Sequence, residues 1–276
     1  MIESWHYYNH AALPNCAPHE EADLRPINDG SIWKGNFSSG SGKPLFARWI
    51  TDWDCGHETK WWYVIKDEPF SVESLKAKRR YEITKGNRNF EVRVIELQDY
   101  LDELFEVTIE AYSGWDEKYR PVINKTDFKK TFSAYKTGEV LGAFKREDGR
   151  LCGYSVVIDN QTFAEFCIMR TVPKEEHMGI NAAMVFGILD MYNSRLKDGF
   201  YINDGSRAIR HETQFQDYLE KYFGFRKAYC RLHLKYRWIV KVAVDLLFPF
   251  RKVIKGKTAI GSLINGVLTM EEIARQ

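Results

Sequence analysis

The chain has 276 residues, 44% of them hydrophobic and 14% aromatic, enough to bury a sizeable core in one domain with an appendage or in two small ones. A formal net charge of +2 excludes binding to nucleic acid by overall charge, leaving only local basic patches for that purpose. The five cysteines, Cys16, Cys55, Cys152, Cys167 and Cys230, lie scattered without a C-x-x-C pair, which points away from a disulfide framework or zinc site and towards a reducing cytoplasm.

Met1 to Ala22 has no secretory-leader pattern, because His, Asn, Pro and Glu interrupt each apolar run. No stretch of about 18 apolar residues, the length a spanning helix needs, occurs anywhere. Met1 to Lys43 is rich in Gly, Ser, Asn and Pro and predicts a loop-dominated cover. His6 with His10, and the run Asp52-Trp-Asp-Cys-Gly-His57, contain metal-ligand residue types. No matching ligand pair accompanies either, so both read as turn polar groups among aromatics. Pro44 to Thr51 and Lys60 to Lys66 predict two strands, whose Trp49, Trp61, Trp62 and Tyr63 pack against the body. After Pro69 a helix is predicted from an N-cap at Ser71 to a C′ glycine at Gly86. Lys76, Lys78, Arg79, Arg80 and Lys85 make it the most basic segment, either a solvated face or a surface that touches the phosphates of a nucleotide or a tRNA.

Glu91 to Leu97 alternates as a strand does, and Leu101, Leu104, Phe105, Thr108 and Ile109 line one face of a helix that ends near Ser113-Gly114. A second helix over Thr126 to Lys136 and a strand over Val140 to Lys145 follow. Leu151 to Ile158 and Phe163 to Thr171 flank the turn formers Asp159, Asn160 and Gln161 and predict a hairpin. Pro173 ends its second strand and Gly179 opens a helix over Ile180 to Leu196, with Ala183, Met184, Gly187, Ile188, Met191 and Tyr192 at helical spacing. With the short strand Phe200 to Asn203 this makes a right-handed βαβ unit. The loop amides of Glu176 to Asn181 gather at the helix's positive end, where a phosphate is stabilised. Arg210 to Gly224 predicts a helix and Phe225 to Tyr236 a long strand. In the tail, Ile239, Val242, Ala243, Leu246, Leu247 and Phe250 share one side, with Arg251, Lys252, Lys255 and Lys257 behind them. That pattern fits a docked terminal helix or an interfacial membrane helix with a polybasic flank, ended or kinked at Pro249.

From Glu91 to Tyr236, the order hairpin, strand, Gly-containing loop, helix, strand, then a helix ending in Phe223-Gly224-Phe225, resembles the Gcn5-related N-acetyltransferase (GNAT) superfamily. The resemblance implies an α/β (α+β) domain with a central mixed, mostly antiparallel twisted sheet, two splayed strands and flanking helices. It divides the chain into an extension at 1–88, an acyltransferase domain at 89–236 and an amphipathic tail at 237–276. The implied activity is an N-acyltransferase that moves an acyl group, acetyl above all, from a coenzyme A thioester to a small-molecule or peptidyl amine by direct attack, without a metal.

The family holds the donor's pantetheine arm along a strand that maps to Ile168, Met169, Arg170 and Thr171, and its phosphates on a loop that maps to Glu176, His177, Met178, Gly179, Ile180 and Asn181. Of the family's Gln/Arg-x-x-Gly-x-Gly/Ala loop, the central Gly179 is the match, with Glu176 and Asn181 at the outer positions. Glu165, the ionisable member of the alternating set Phe163, Glu165, Cys167 and Met169, is the implied base, with His211 and Asp204 as competitors. Cys167 reads as a small core residue. Where the family places a leaving-group tyrosine stands Glu220, flanked by Tyr218 and Tyr222, of which Tyr222 is taken for that role. Tyr112, Trp115, Tyr119 and Arg120 map to the acceptor side.

The basic helix, Asp204-Gly205 and the aromatic-Gly helix end also resemble the FemAB-like branch, which implies an aminoacyl-tRNA or acyl-carrier-protein donor. A non-catalytic binding module is a further alternative. The expected location is the cytoplasm, peripheral at the inner membrane face if the tail touches lipid.

Overall fold

The computed structural model describes residues 1–114, 117, 120–133, 138–209, 214–254 and 259–276. Along the chain its elements are β1 (Trp5–Tyr8), β2 (Ala11–Pro14), α1 (Arg25–Asn28), β3 (Phe46–Thr51), β4 (Trp61–Lys66), α2 (Ala77–Asn89), β5 (Phe90–Val94), α3 (Leu101–Ser113) and α4 (Lys125–Ser133). There follow β6 (Glu139–Lys145), β7 (Leu151–Asp159), β8 (Phe163–Thr171), α5 (Ile180–Tyr192), β9 (Tyr201–Ser206), α6 (Gln214–Phe223), β10 (Arg226–Tyr236), α7 (Trp238–Leu247) and α8 (Ala259–Ala274). They form two compact units, Met1–Val64 with Ser206–Phe215 and Lys227–Gln276, and Ile65–Gly205 with Gln216–Arg226.

This division departs from the expected three segments. The basic helix α2 belongs with the second unit because its Gly86 packs on the start of α5. The tail belongs with the first because β10 pairs with β3 along Arg231–Tyr236.

In the second unit the strand order is β9-β8-β7-β6-β5, antiparallel except for β8 with β9, the mixed, mostly antiparallel sheet that was expected. Residues Leu151 to Val157 of β7 are all buried because helices cover both sheet faces. Tyr154 and Val156 pack with Leu104 of α3 and Phe128 and Phe132 of α4. Gly153, of opposite parity, faces Ile180 of α5. The buried Thr108 hydroxyl bonds the Leu104 carbonyl at 2.7 Å and shares a 2.7 Å hydrogen bond with the Tyr154 hydroxyl, so the polar atoms there are satisfied.

In the first unit β1 and β2 form an antiparallel hairpin, β2 runs parallel to β3, and β3 pairs antiparallel with β10, which has the Trp61–Val64 part of β4 beside it. The expected loop-dominated start thus also carries a hairpin, which sequence reading did not place. Asn9 and His10 adopt positive φ of 45° and 67°, the backbone of a tight hairpin turn, and Trp5, Ala12, Ile32, Phe37 and Ala47 close a small core. Helices α7 and α8 pack on a cluster that includes Trp61, Cys230, Leu232 and Tyr236. Helix α2 starts at Ala77 rather than after Ser71, whose hydroxyl instead bonds Glu73. Among the described residues no helix is long and apolar enough to cross a membrane.

Candidate active site at the β8–β9 fork

Strands β8 and β9 pair in parallel over Phe163–Glu165 and Tyr201–Asn203, after which each runs on without pairing with the other. On its other edge β8 carries a bulge. Val157 pairs with Phe166 and Val156 with Ile168, so Cys167 is passed over and strict alternation ends there. Cys167 is exposed, which corrects its reading as a core residue.

Two carboxyl groups stand where this pairing ends. Asn203, the last residue of β9 paired with β8, is buried and uses its side-chain oxygen to accept the Gly205 N–H at 2.8 Å, which fixes the stretch of chain that carries Asp204. Burial pushes the Asp204 carboxyl up to about 7, the nearby Glu165 charge adds to the lift, and a hydrogen bond from the Gln216 side chain on α6 opposes it. Burial likewise raises Glu165. A carboxylate with a midpoint near neutral pH is matched to general-base work. Cys167 is unsuited to covalent catalysis, since desolvation, with the Glu165 charge behind it, pushes its thiol up to about 12.

The expected donor-strand residues lie along the part of β8 beyond its pairing with β9. Ile168 packs against the α3–α4 core while its carbonyl accepts the Ser155 hydroxyl at 2.8 Å. The Arg170 guanidinium donates to the Met169 carbonyl at 2.9 Å and to the Tyr112 hydroxyl of α3 at 2.9 Å, so it is anchored on the α3 side. Thr171 donates to the Asn181 side-chain oxygen at 2.7 Å, tying β8 to the first turn of α5.

The expected phosphate loop is a 3-10 turn, Pro173–Met178, with amides bonded internally: Glu175 N–H to the Val172 carbonyl and Gly179 N–H to the Glu176 carbonyl. Glu176 and His177 are exposed, whereas Gly179 and Ile180 are buried. Helix α2 lies over this point. Gly86 approaches so closely that a Cβ there would sit 2.5 Å from the Gly179 carbonyl oxygen, and the Asn89 side chain donates to the Met178 carbonyl at 3.0 Å.

Tyr222 stands on α6 with the Arg79 guanidinium 3.2 Å above its ring centroid. It lines a cleft of about 100 Å³ with Arg79, Glu82, Ile83, Ala182, Tyr218 and Phe223, none of them from β8 or β9. His211, Trp115 and Tyr119 lie outside the described residues. The covering role of Gly86 escaped sequence reading, which took it for a helix terminator, although its place ahead of Asn87 and Asn89 in a basic helix was visible. Among the described residues no group of three His, Cys, Asp or Glu side chains could hold a metal ion.

No family model and no curated protein matches the chain. Among solved structures, L-PGS from Bacillus licheniformis overlays on 99% of this chain and 85% of its own, at 12% identity and a TM-score of 0.51. The C-terminal domain of a putative lysylphosphatidylglycerol synthetase from Agrobacterium fabrum overlays on 87% of this chain and 82% of its own, at 12% identity and a TM-score of 0.50. The PaiA N-acetyltransferase from Thermoplasma acidophilum, in complex with coenzyme A, matches 38% of this chain and 73% of its own, at 20% identity and a TM-score of 0.31.

Proposed function

From a fold of the GNAT type, shared with L-PGS, we propose that the chain is an acyl or aminoacyl transferase whose chemistry takes place at the β8–β9 fork. A fold hosts many chemistries, so the reading rests on the site, and on one observation in it: the partly buried Asp204 carboxyl, shifted to about 7 beside Glu165 where the strand pairing ends. In this reading an acceptor amine or hydroxyl attacks the donor's carbonyl carbon. The bond to the carrier oxygen or sulfur breaks, and the carrier leaves with the electron pair. Asp204 takes the acceptor's proton and can return it to the leaving group.

The covering of the α5 start by α2 favours a donor borne on a larger carrier over one whose pyrophosphate lies on that loop. The outward side of α2 supplies a surface for such a carrier: Lys78, Arg80, Tyr81 and Arg88 are exposed, and the three cations have no ion-pair partner among the described residues. An aminoacyl-tRNA is the carrier this chemistry suits, since unpaired cations gain by displacing counterions from phosphates. The second reading, an acyl-CoA donor, draws on the positive end of α5. The reading also includes contact with an anionic bilayer through α7. Trp238, Ile239, Val242 and Leu246 are 73%, 57%, 53% and 69% exposed along one side, while Val244 opposite is buried. A helix apolar on both sides has an outer face that the fold leaves uncovered.

Binding of tRNA and of coenzyme A, measured for the natural chain and for Lys78→Glu/Arg80→Glu/Arg88→Glu, separates the donors. Salt-dependent tRNA binding that falls at least tenfold in the variant supports the carrier reading. A rise in melting midpoint with coenzyme A and no tRNA binding overturns it.

A further inference from the structure

The first unit contains a cavity of about 670 Å³, within the range of small-molecule sites. Its apolar wall includes Leu13, Phe46, Leu263, Val267 and Met270, while among the described residues Arg48, Arg207 and His10 supply the charged or titratable nitrogens on it and no Asp or Glu lines it. Arg48 comes from β3 and lies over the Trp61 ring, 5.4 Å from its centroid. Its titratable neighbours are Tyr63 and Tyr8, not carboxylates, and burial lowers its pKa. Among the described residues it makes no hydrogen bond and no ion pair. A guanidinium has five N–H donors, and stacking on an indole satisfies none of them. Arg207 is differently held: it donates to the Lys60 carbonyl at 2.7 Å and lies over the Trp62 ring, again without a carboxylate among the described residues. Both guanidinia are half-buried, and in such partly desolvated surroundings an anionic group gains by pairing with them. A ligand that fits has such a group at one end and an apolar run at the other.

We propose that this cavity is a binding site for an amphiphilic oxyanion, its carboxylate or phosphate head received by Arg48 and Arg207 and its hydrocarbon chain laid against Leu263, Val267 and Met270. Two oxygens of such a head can accept the paired N–H bonds of the Arg48 guanidinium fork.

Calorimetric titration of the full chain with decanoate, dihexanoylphosphatidylglycerol, inorganic phosphate and decanol tests the assignment. The expected result is one-to-one binding of decanoate or of the phospholipid, with phosphate and decanol at least tenfold weaker. Preference for decanoate identifies a fatty-acid source, and preference for the phospholipid a lipid headgroup. Arg48→Met should lower that affinity at least tenfold, because the head group loses its charged donor. Should that variant fold poorly, Val267→Trp, which fills the apolar end, is expected to abolish binding of the chain-bearing anions. Decanol binding as tightly as the anions overturns the proposal. So does an Arg48→Met protein that binds the chain-bearing anions unchanged, since Arg48 would then be a packing residue on Trp61.

Discussion

The raised carboxyl of Asp204 makes a prediction about stability that needs no substrate. Its ordinary value is 3.8 and its folded value about 7. Between those values the folded chain keeps a proton that the unfolded chain has already released, so raising the pH favours unfolding. At pH 5 the unfolded group is ionised. From there to about pH 7 the folded protein loses roughly 1.4 kcal/mol per pH unit on account of this one residue, and above the folded value the loss levels off. Between pH 5 and pH 8 the total is about 2.5 to 3 kcal/mol. Asp204→Asn keeps the shape and removes the titration. Urea denaturation of both proteins at pH 5, 6, 7 and 8 should show the natural chain losing about that much more stability than the variant over the range. Glu165, raised in the same direction, is present in both and largely cancels. Parallel pH profiles for the two proteins would refute the reasoning, because they would mean that Asp204 titrates alike folded and unfolded.

Gly86→Ala would gain about 1 kcal/mol in an ordinary helix interior, but here the new Cβ meets backbone atoms at 2.5 Å and 3.0 Å that cannot swing aside, and overpacking costs about 1–3 kcal/mol. The melting midpoint should therefore fall, and a rise would show that α2 does not press on α5. Cys167 is exposed whereas Cys152 and Cys230 are buried, so iodoacetamide at pH 8 should label Cys167 ahead of both in the folded protein, as read by peptide mass spectrometry. Labelling of Cys152 or Cys230 ahead of Cys167 would contradict the outward turn at the β8 bulge. Val242→Asp/Leu246→Asp should cut co-sedimentation with phosphatidylglycerol vesicles at least tenfold if α7 lies on the bilayer, and equal sedimentation of both proteins would contradict that contact.

The hairpin of β7 and β8, the helix α5 and the strand β10 were legible because their apolar residues repeat at the periods of their elements and are bounded by turn formers such as Asp159 and Pro173. Helix α8 was not read as an element. It follows Pro249 and a basic run, and its Gly261, Asn265 and Gly266 blur the helical period. The β1–β2 hairpin was hidden in the same way, because Asn9 and His10, rather than glycines, supply the turn. At the site, Glu165 could be found from alternation, but the bulge that turns Cys167 outward depends on its pairing with β7 and leaves no mark in local sequence. Asp204 was noted only as a competing base. Its standing comes from desolvation in the folded unit, which no run of neighbours along the chain reveals. Gly86 matched a helix terminator in isolation. Contact with Gly179, far away in sequence, gives it a different job.

The most direct test of the transferase reading follows label from donor to acceptor. The natural chain and Asp204→Asn are each incubated with a pool of radiolabelled aminoacyl-tRNAs, and separately with labelled acyl-CoAs, together with an extract of small-molecule and lipid acceptors at pH 6 and pH 8. The expected result is transfer of label by the natural chain, several-fold faster at pH 8 where Asp204 is ionised, and at least a hundredfold slower in the variant. No transfer from either donor by folded protein, or transfer at the same rate by Asp204→Asn, would contradict it.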